Sequence, residues 1–322
     1  MRFLPLFFRL HPALLAVLPL LAGCGKTAGP VRLDFVGAAN LTSSNRTLGA
    51  ADTVAVRLYA ITSADEPLTR LTITTRATPR RQAFVYPTPL SSFRPETQPA
   101  GPEQVLLDSA LAPNTRELNF QTTFTARPTT GTERWEFAVF DAAGHRASRA
   151  FRLTVRRPDS LALVQSYTLL LRPGRGPLAR PYLVLDSGQV LPRYAARPSL
   201  PQNQQIIDLV ALETPNGLYL AAPDAPAAVP LPARWPSPRA TRLRPTAFDA
   251  AGFGSPTTAT AFQDFFDAAQ RYSQAGDYVT DALAKDQVIA FQTAGGHYGF
   301  LQIIDLIRTP YPLLKVSVRM AK

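Results

Sequence analysis

Cysteine is nearly missing from this 322-residue chain, which carries one, Cys24. A single thiol forms no internal disulfide and no cysteine-built metal site, so the fold must rest on packing alone. Histidine is almost as scarce. Of His11, His145 and His297, none has a sequence neighbour that would complete a triad or a metal site, and the last two read as solvated turn residues. No H-E-x-x-H, G-x-S-x-G or calcium-loop spacing occurs, and neither a metal nor a cofactor is expected. Lysine is confined to Lys26, Lys285, Lys315 and Lys322, so arginine carries the formal net charge of +11. Those arginines are scattered among Pro and Ala instead of forming a stripe, which argues against nucleic acid as a partner. A basic exterior still favours anionic surfaces through long-range steering. After Cys24 no apolar run approaches the roughly 20 residues that a membrane-spanning helix needs.

What is present begins with an address. Arg2 and Arg9 precede the apolar run from Pro12 to Leu21, too short to cross a bilayer and typical of a signal h-region. Leu21-Ala22-Gly23-Cys24 follows directly. This tetrapeptide resembles the lipobox of bacterial lipoproteins, in which the Cys is acylated and becomes the new N-terminus. The resemblance implies lipidation at Cys24, a signal peptide over 1–23 and a lipidated tether over 24–30. It places the remainder outside the cytoplasm, anchored to a membrane by lipid, with the outer membrane favoured and the face left open. Two or more acyl chains hold a protein firmly, so no further anchor is needed.

About 300 processed residues, in a chain that is 46% hydrophobic as a whole, predict two cores, over 31–157 and 158–322. Strict alternation predicts strands over Val31–Val36 and Thr53–Ile61, with others at Leu71–Arg76, Val105–Ala110 and Glu117–Ala126. The clearest hairpin spans Arg134 to Val155 about the turn Asp141-Ala142-Ala143-Gly144. In the second half, strands are expected at Leu161–Leu171, Tyr182–Leu185, Gln205–Leu212, Leu218–Ala221, Val288–Gln292, Tyr298–Ile304 and Leu313–Met320. The Pro-rich stretches 79–102 and 222–238 read as loops. One helix is signalled: Thr260 with Gln263 fits a capping box, Phe262, Phe265, Phe266, Ala269 and Tyr272 share a face, and Gly276 stands where a C-terminal cap belongs.

The segment F-A-V-F-D-A-A-G-H-R-A-S-R-A-F-R-L-T-V resembles the last hairpin of bacterial immunoglobulin-like modules. The fold class so implied is mainly β: an immunoglobulin-like β-sandwich followed by a second β-rich domain with one packed helix. D-Q-V-I-A-F-Q-T-A-G-G-H-Y-G-F-L-Q-I and the closing L-L-K-V-S-V-R-M resemble the C-terminus of uncharacterised lipoproteins from Bacteroidota, which implies a fold and no activity. Asp52-Thr53-Val54, Asp108-Ser109-Ala110 and Asp159-Ser160-Leu161 resemble the D-[ST]-aliphatic tripeptides that are O-glycosylated in that phylum, which implies sugar on Thr53, Ser109 or Ser160. The acidic cluster that usually directs such lipoproteins outward is missing from Gly25-Lys26-Thr27-Ala28.

For chemistry, Trp235 in a Pro-rich loop is a candidate to stack on a sugar ring or to plug a neighbouring sheet, and Tyr298 beside a Gly pair can do either. Trp135 alternates with Phe137 and Val139 and reads as core. Paired carboxylates of a glycosidase leave no sequence signature, so Asp208, Asp249, Asp264 and Asp267 stay open. The expected function is a non-catalytic envelope lipoprotein, a binding or scaffolding module for polysaccharide or another envelope protein. The alternative is a glycan-acting hydrolase that uses carboxylates of the second half.

Overall fold

The computed structural model describes residues 29–63, 65–79, 103–156, 163–174, 176, 179–232, 234–272 and 276–321. Cys24, the expected signal segment, the expected loop over 80–102, the expected boundary near 157–158 and Ser160 lie outside them. Among the described residues the chain is mainly β, with one packed helix, and no helix is long and apolar enough to cross a membrane.

Residues 31–155 supply two facing sheets. One has the order β1 (Val31–Phe35), β3 (Thr53–Thr62), β6 (Glu117–Thr125), all antiparallel. The other runs β2 (Arg46–Leu48), β8 (Arg146–Val155), β7 (Gly131–Asp141), β4 (Leu68–Pro79), β5 (Glu103–Thr115), with β2 alone parallel to its neighbour. Alternation explains the sandwich. In β3 every second residue, Val54, Val56, Leu58 and Ala60, is buried, and meets Leu71, Phe137, Val139 and Leu153 from the opposite sheet. Burying one face only is what a period of two encodes.

Residues 164–321 build a thicker stack. A five-stranded sheet runs β14 (Arg242–Pro245), β15 (Val288–Gln292), β16 (Tyr298–Ile307), β17 (Leu313–Ala321), β9 (Val164–Leu171). A four-stranded sheet runs β11 (Gln189–Leu191), β10 (Tyr182–Val184), β12 (Leu209–Thr214), β13 (Gly217–Ala221). Between them lie Leu171, Leu183, Leu220, Ile289, Leu301 and Val318. The far face of the four-stranded sheet is covered by irregular chain that brings Ala195, Ile207, Val229 and Trp235 against Tyr182 and Val210. The far face of the five-stranded sheet is covered by α2 (Ala259–Ala268) through Phe262 and Phe266. Sheets covered on both faces need continuous apolar runs, which is why β12 reads L-V-A-L and β15 reads V-I-A-F with every one of those residues buried.

Several local expectations are corrected. The helix is capped two residues earlier than the capping box implied: Thr258 Oγ1 accepts from the Ala261 amide at 3.2 Å, because only Thr258 has the extended backbone a cap requires. The helix stops at Ala268, with Ala269 already extended, so Tyr272 and Gly276 belong to a later loop, where they form a bridge of their own. The stretch 205–212 is a strand only from Leu209. Residues Pro201–Gln204 instead form a single turn, α1, with proline at its start, where a missing N–H costs nothing. Short β2, β11 and β14 carry too few residues for a periodicity signal.

Candidate functional site

Two features stand out, a polar cluster inside the second half and a cleft where the halves meet. The turn that joins β10 to β11, residues 185–188, belongs to both.

Asp208 is fully buried. Its Oδ2 accepts from the Leu185 amide at 2.8 Å, and its Oδ1 lies 2.9 Å from Arg239 Nε. The Arg239 N–H is not aligned on that oxygen, so charge rather than a formed hydrogen bond joins the pair. Arg239 also approaches Asp186, at 3.9 Å, and Asp186 Oδ1 sits 3.2 Å from His297 Nδ1. Burial pushes the Asp208 carboxyl up to about 7; attraction to Arg239 opposes this and the Asp186 charge adds to it. Burial also pushes Asp186 up, but the hydrogen bond and charge of His297, with Arg239 behind, outweigh it and leave that carboxyl below its ordinary range. The same hydrogen bond raises the His297 imidazole.

A folded Asp208 holds its proton more tightly than an unfolded-chain aspartate, whose pKa is about 3.9. Its contribution to stability is therefore fully present below about 4 and is lost as pH rises through about 7. Asp208→Asn keeps an oxygen for the Leu185 amide and cannot ionise. Denaturant melts at pH 4.5 and 7.5 should show the variant no more stable than wild type in acid and more stable at the higher pH, by on the order of 3 kcal/mol. Equal gains at both pH values would contradict the assignment.

Below this cluster runs a second polar group. Arg127 and Glu133, both almost wholly buried, stand 3.8 Å apart. Glu133 Oε2 accepts from Trp135 Nε1 at 3.0 Å, and Arg127 Nε donates to Thr129 Oγ1 at 3.0 Å. Thr129 Oγ1 in turn donates to the Ser187 carbonyl at 2.9 Å, crossing from one half to the other. Burial lowers Arg127 and raises Glu133, in each case against the attraction of the partner. The Tyr167 hydroxyl donates to the Leu185 carbonyl, and its burial holds it well above the ordinary tyrosine range.

Beside this polar spine lies a cleft of about 570 Å³. Residues 122–128 and Trp135 of the first sandwich face residues 168–170 and 188–192 of the second half across it, with Leu106 and Leu107 of β5 on one side. Trp135 is core, as its alternation implies, and its ring stacks on Phe124 at 3.6 Å and 15°. Among the described residues Arg127 and Arg180 are the charged members of the lining, and no carboxylate contributes to it.

The candidates named from the sequence fall as follows. Trp235 is not an exposed platform: it is 8% exposed and meets Tyr182 edge-on at 5.6 Å, because the Pro-rich chain over 222–238 folds back as a lid on the four-stranded sheet. Tyr298 is half-buried, edge-on to Phe266, with its hydroxyl accepting from Gln292 Nε2 at 2.7 Å. Thr53 is exposed at the start of β3. Ser109 is half-buried in β5, its hydroxyl donating to the Ala110 carbonyl. Asp249 Oδ1 accepts from the Ala251 and Gly252 amides and so closes a turn. Asp264 and Asp267 lie on the exposed side of α2. His145 is held by Asp141, at 2.8 Å. Among the described residues no three His, Cys, Asp or Glu side chains gather to hold a metal ion. Sequence reasoning missed the Asp186–His297 pair because its members stand 111 residues apart.

No protein-family model and no curated protein matches the chain. Among solved structures, similarity is found to a DUF4466 family protein from Parabacteroides merdae, a member of the Bacteroidota, at 12% identity over 91% of this chain and 98% of that one, with a TM-score of 0.38. The sporulation control protein Spo0M from Bacillus subtilis is similar over 60% of this chain and 78% of its own, at 11% identity and a TM-score of 0.26.

Proposed function

We propose that this chain is a non-catalytic envelope lipoprotein, anchored through Cys24, whose cleft between an immunoglobulin-like sandwich and the second β-rich half binds polysaccharide or another envelope protein. The observation that carries this reading is the cleft itself, apolar over most of its wall and placed where two cores meet, the usual position of a binding site. The hydrolase alternative draws no comparable support. Asp208, whose carboxyl burial pushes up to about 7, is sealed from solvent by Arg239 and the Leu185 amide, while a glycosidase needs two carboxylates flanking an open cleft.

The test has two parts. In a host that lipidates exported proteins, Cys24→Ser is expected to move the chain from the membrane to the soluble fraction; persistence with membranes would remove the anchor from the reading. The processed Cys24→Ser chain, screened against envelope polysaccharides and a displayed-peptide library, is expected to retain a ligand that Leu170→Asp releases. Leu170 is 47% exposed at the cleft, so its substitution changes the wall and not the core. Retention indifferent to Leu170→Asp, or turnover of a glycan, would overturn the proposal.

A further inference from the structure

The lining of the cleft has an unusual grain. Residues 122–128, 168–170 and 188–192 enter it as consecutive runs. In a strand, neighbouring side chains point to opposite faces, so a wall that takes consecutive residues is formed by the strand's edge, with its main chain, and not by a face. The topology agrees. β6, β5, β9 and β11 are each the last strand of their sheet, and all four border the cleft. Four sheets thus turn an edge toward one space.

Edge strands offer unpaired N–H and C=O groups to any extended chain that comes alongside, and folded proteins ordinarily blunt them. Here β5 is blunted: the buried Asn203 side chain accepts from the Val105 amide at 3.0 Å and donates to the Val105 carbonyl at 2.8 Å, occupying the edge as a neighbouring strand would. Along β9 the side chains of Gln165, through Nε2, and Tyr167, through its hydroxyl, donate to the carbonyls of Asp186 and Leu185, which holds the turn 185–188 against the start of that strand. Among the described residues β6 has no such cover. It is nine residues long, E-L-N-F-Q-T-T-F-T, regularly alternating, without Pro or Lys. Among the described residues no hydrogen bond from another segment reaches the main chain of 122–125 on the side away from β3.

Resting on the cleft reading above, we infer that β6 is the template for a partner strand: the cleft takes an extended peptide of about six residues that pairs with 122–125 by main-chain hydrogen bonds. Its alternate side chains enter the apolar wall at Leu106, Leu169 and Val190, and an acidic residue of the peptide faces Arg180, in a lining to which the described residues bring no carboxylate. A polysaccharide fits less well, because sugar recognition needs open ring faces and the face that Phe124 and Trp135 offer is spent on each other.

The experiment uses the processed chain carrying Cys24→Ser, with Trp235→Phe so that Trp135 alone reports. Trp235 Nε1 has no hydrogen-bond partner, so Phe sacrifices none. The probe is the synthetic peptide Glu-Val-Thr-Val-Thr-Val-Glu, compared with copies N-methylated at alternate positions in each of the two registers. The expected result is a saturable change in Trp135 emission, weakened about tenfold or more by N-methylation in one register only, with slowed amide exchange at alternate residues of 122–125. Equal binding of all three peptides would overturn the strand-pairing inference. If polysaccharide titrates Trp135 and the peptide does not, the inference fails while the cleft reading stands. If neither does, both fail.

Discussion

Arg127→Met is expected to destabilise the chain by about 3–5 kcal/mol, the usual cost of stranding one member of a buried ion pair. Glu133 is 1% exposed and stands against Arg127 and the Trp135 indole. Without the guanidinium its carboxylate would have to remain charged in an apolar setting or take up a proton. The double variant Arg127→Met with Glu133→Gln removes both charges and keeps an acceptor for Trp135 Nε1, so it should recover most of the loss. Urea titration of the two single variants and the double variant measures the coupling directly. A double variant that loses the sum of the single effects would show that the pair does not interact. Thr129 links Arg127 to the Ser187 carbonyl, so Arg127→Met should also raise proteolytic sensitivity at the junction of the halves.

The second large effect is expected at Gly188. Its φ is +67°, and an added Cβ would fall inside contact distance of Pro128, with the Tyr167 ring 3.0 Å away. Gly188→Ala therefore combines a left-handed backbone for a non-glycine residue, about 1–2 kcal/mol, with overpacking of about 1–3 kcal/mol. Gly144 is the matched control. It has a φ of +86° in the β7–β8 turn and open space around its Cβ position, so Gly144→Ala should show the backbone cost alone. Thermal melts of both variants isolate the packing between Pro128 and the turn 185–188. If Gly188→Ala costs no more than Gly144→Ala, the two halves are not closely packed there.

How much of this could be read beforehand depends on the range of each interaction. β15 is found over the residues its apolar run indicates, and the hairpin of β7 and β8 closes about Gly144 as the D-x-x-G turn implies. Both signals lie within some twenty residues of chain. The start of α2 was displaced because Thr258 and Thr260 are chemically alike, and only backbone direction separates a cap from a first-turn residue. Trp235 was ambiguous for a related reason. A tryptophan among prolines has the same local sequence whether it lies on a sheet or stands in water, and the outcome depended on Tyr182, more than fifty residues earlier.

Local pattern alone specified a β-rich chain without covalent cross-links, its strand faces and its one amphipathic helix, because periodicity and turn chemistry act between near neighbours. The buried aspartate that titrates near neutrality, the Asp186–His297 pair and the cleft walled by strand edges arise otherwise. Each depends on which distant strands end a sheet and which charges are drawn together out of water. Those outcomes are set when sheets pack on one another, since the groups involved have no relation in the sequence until the core has formed.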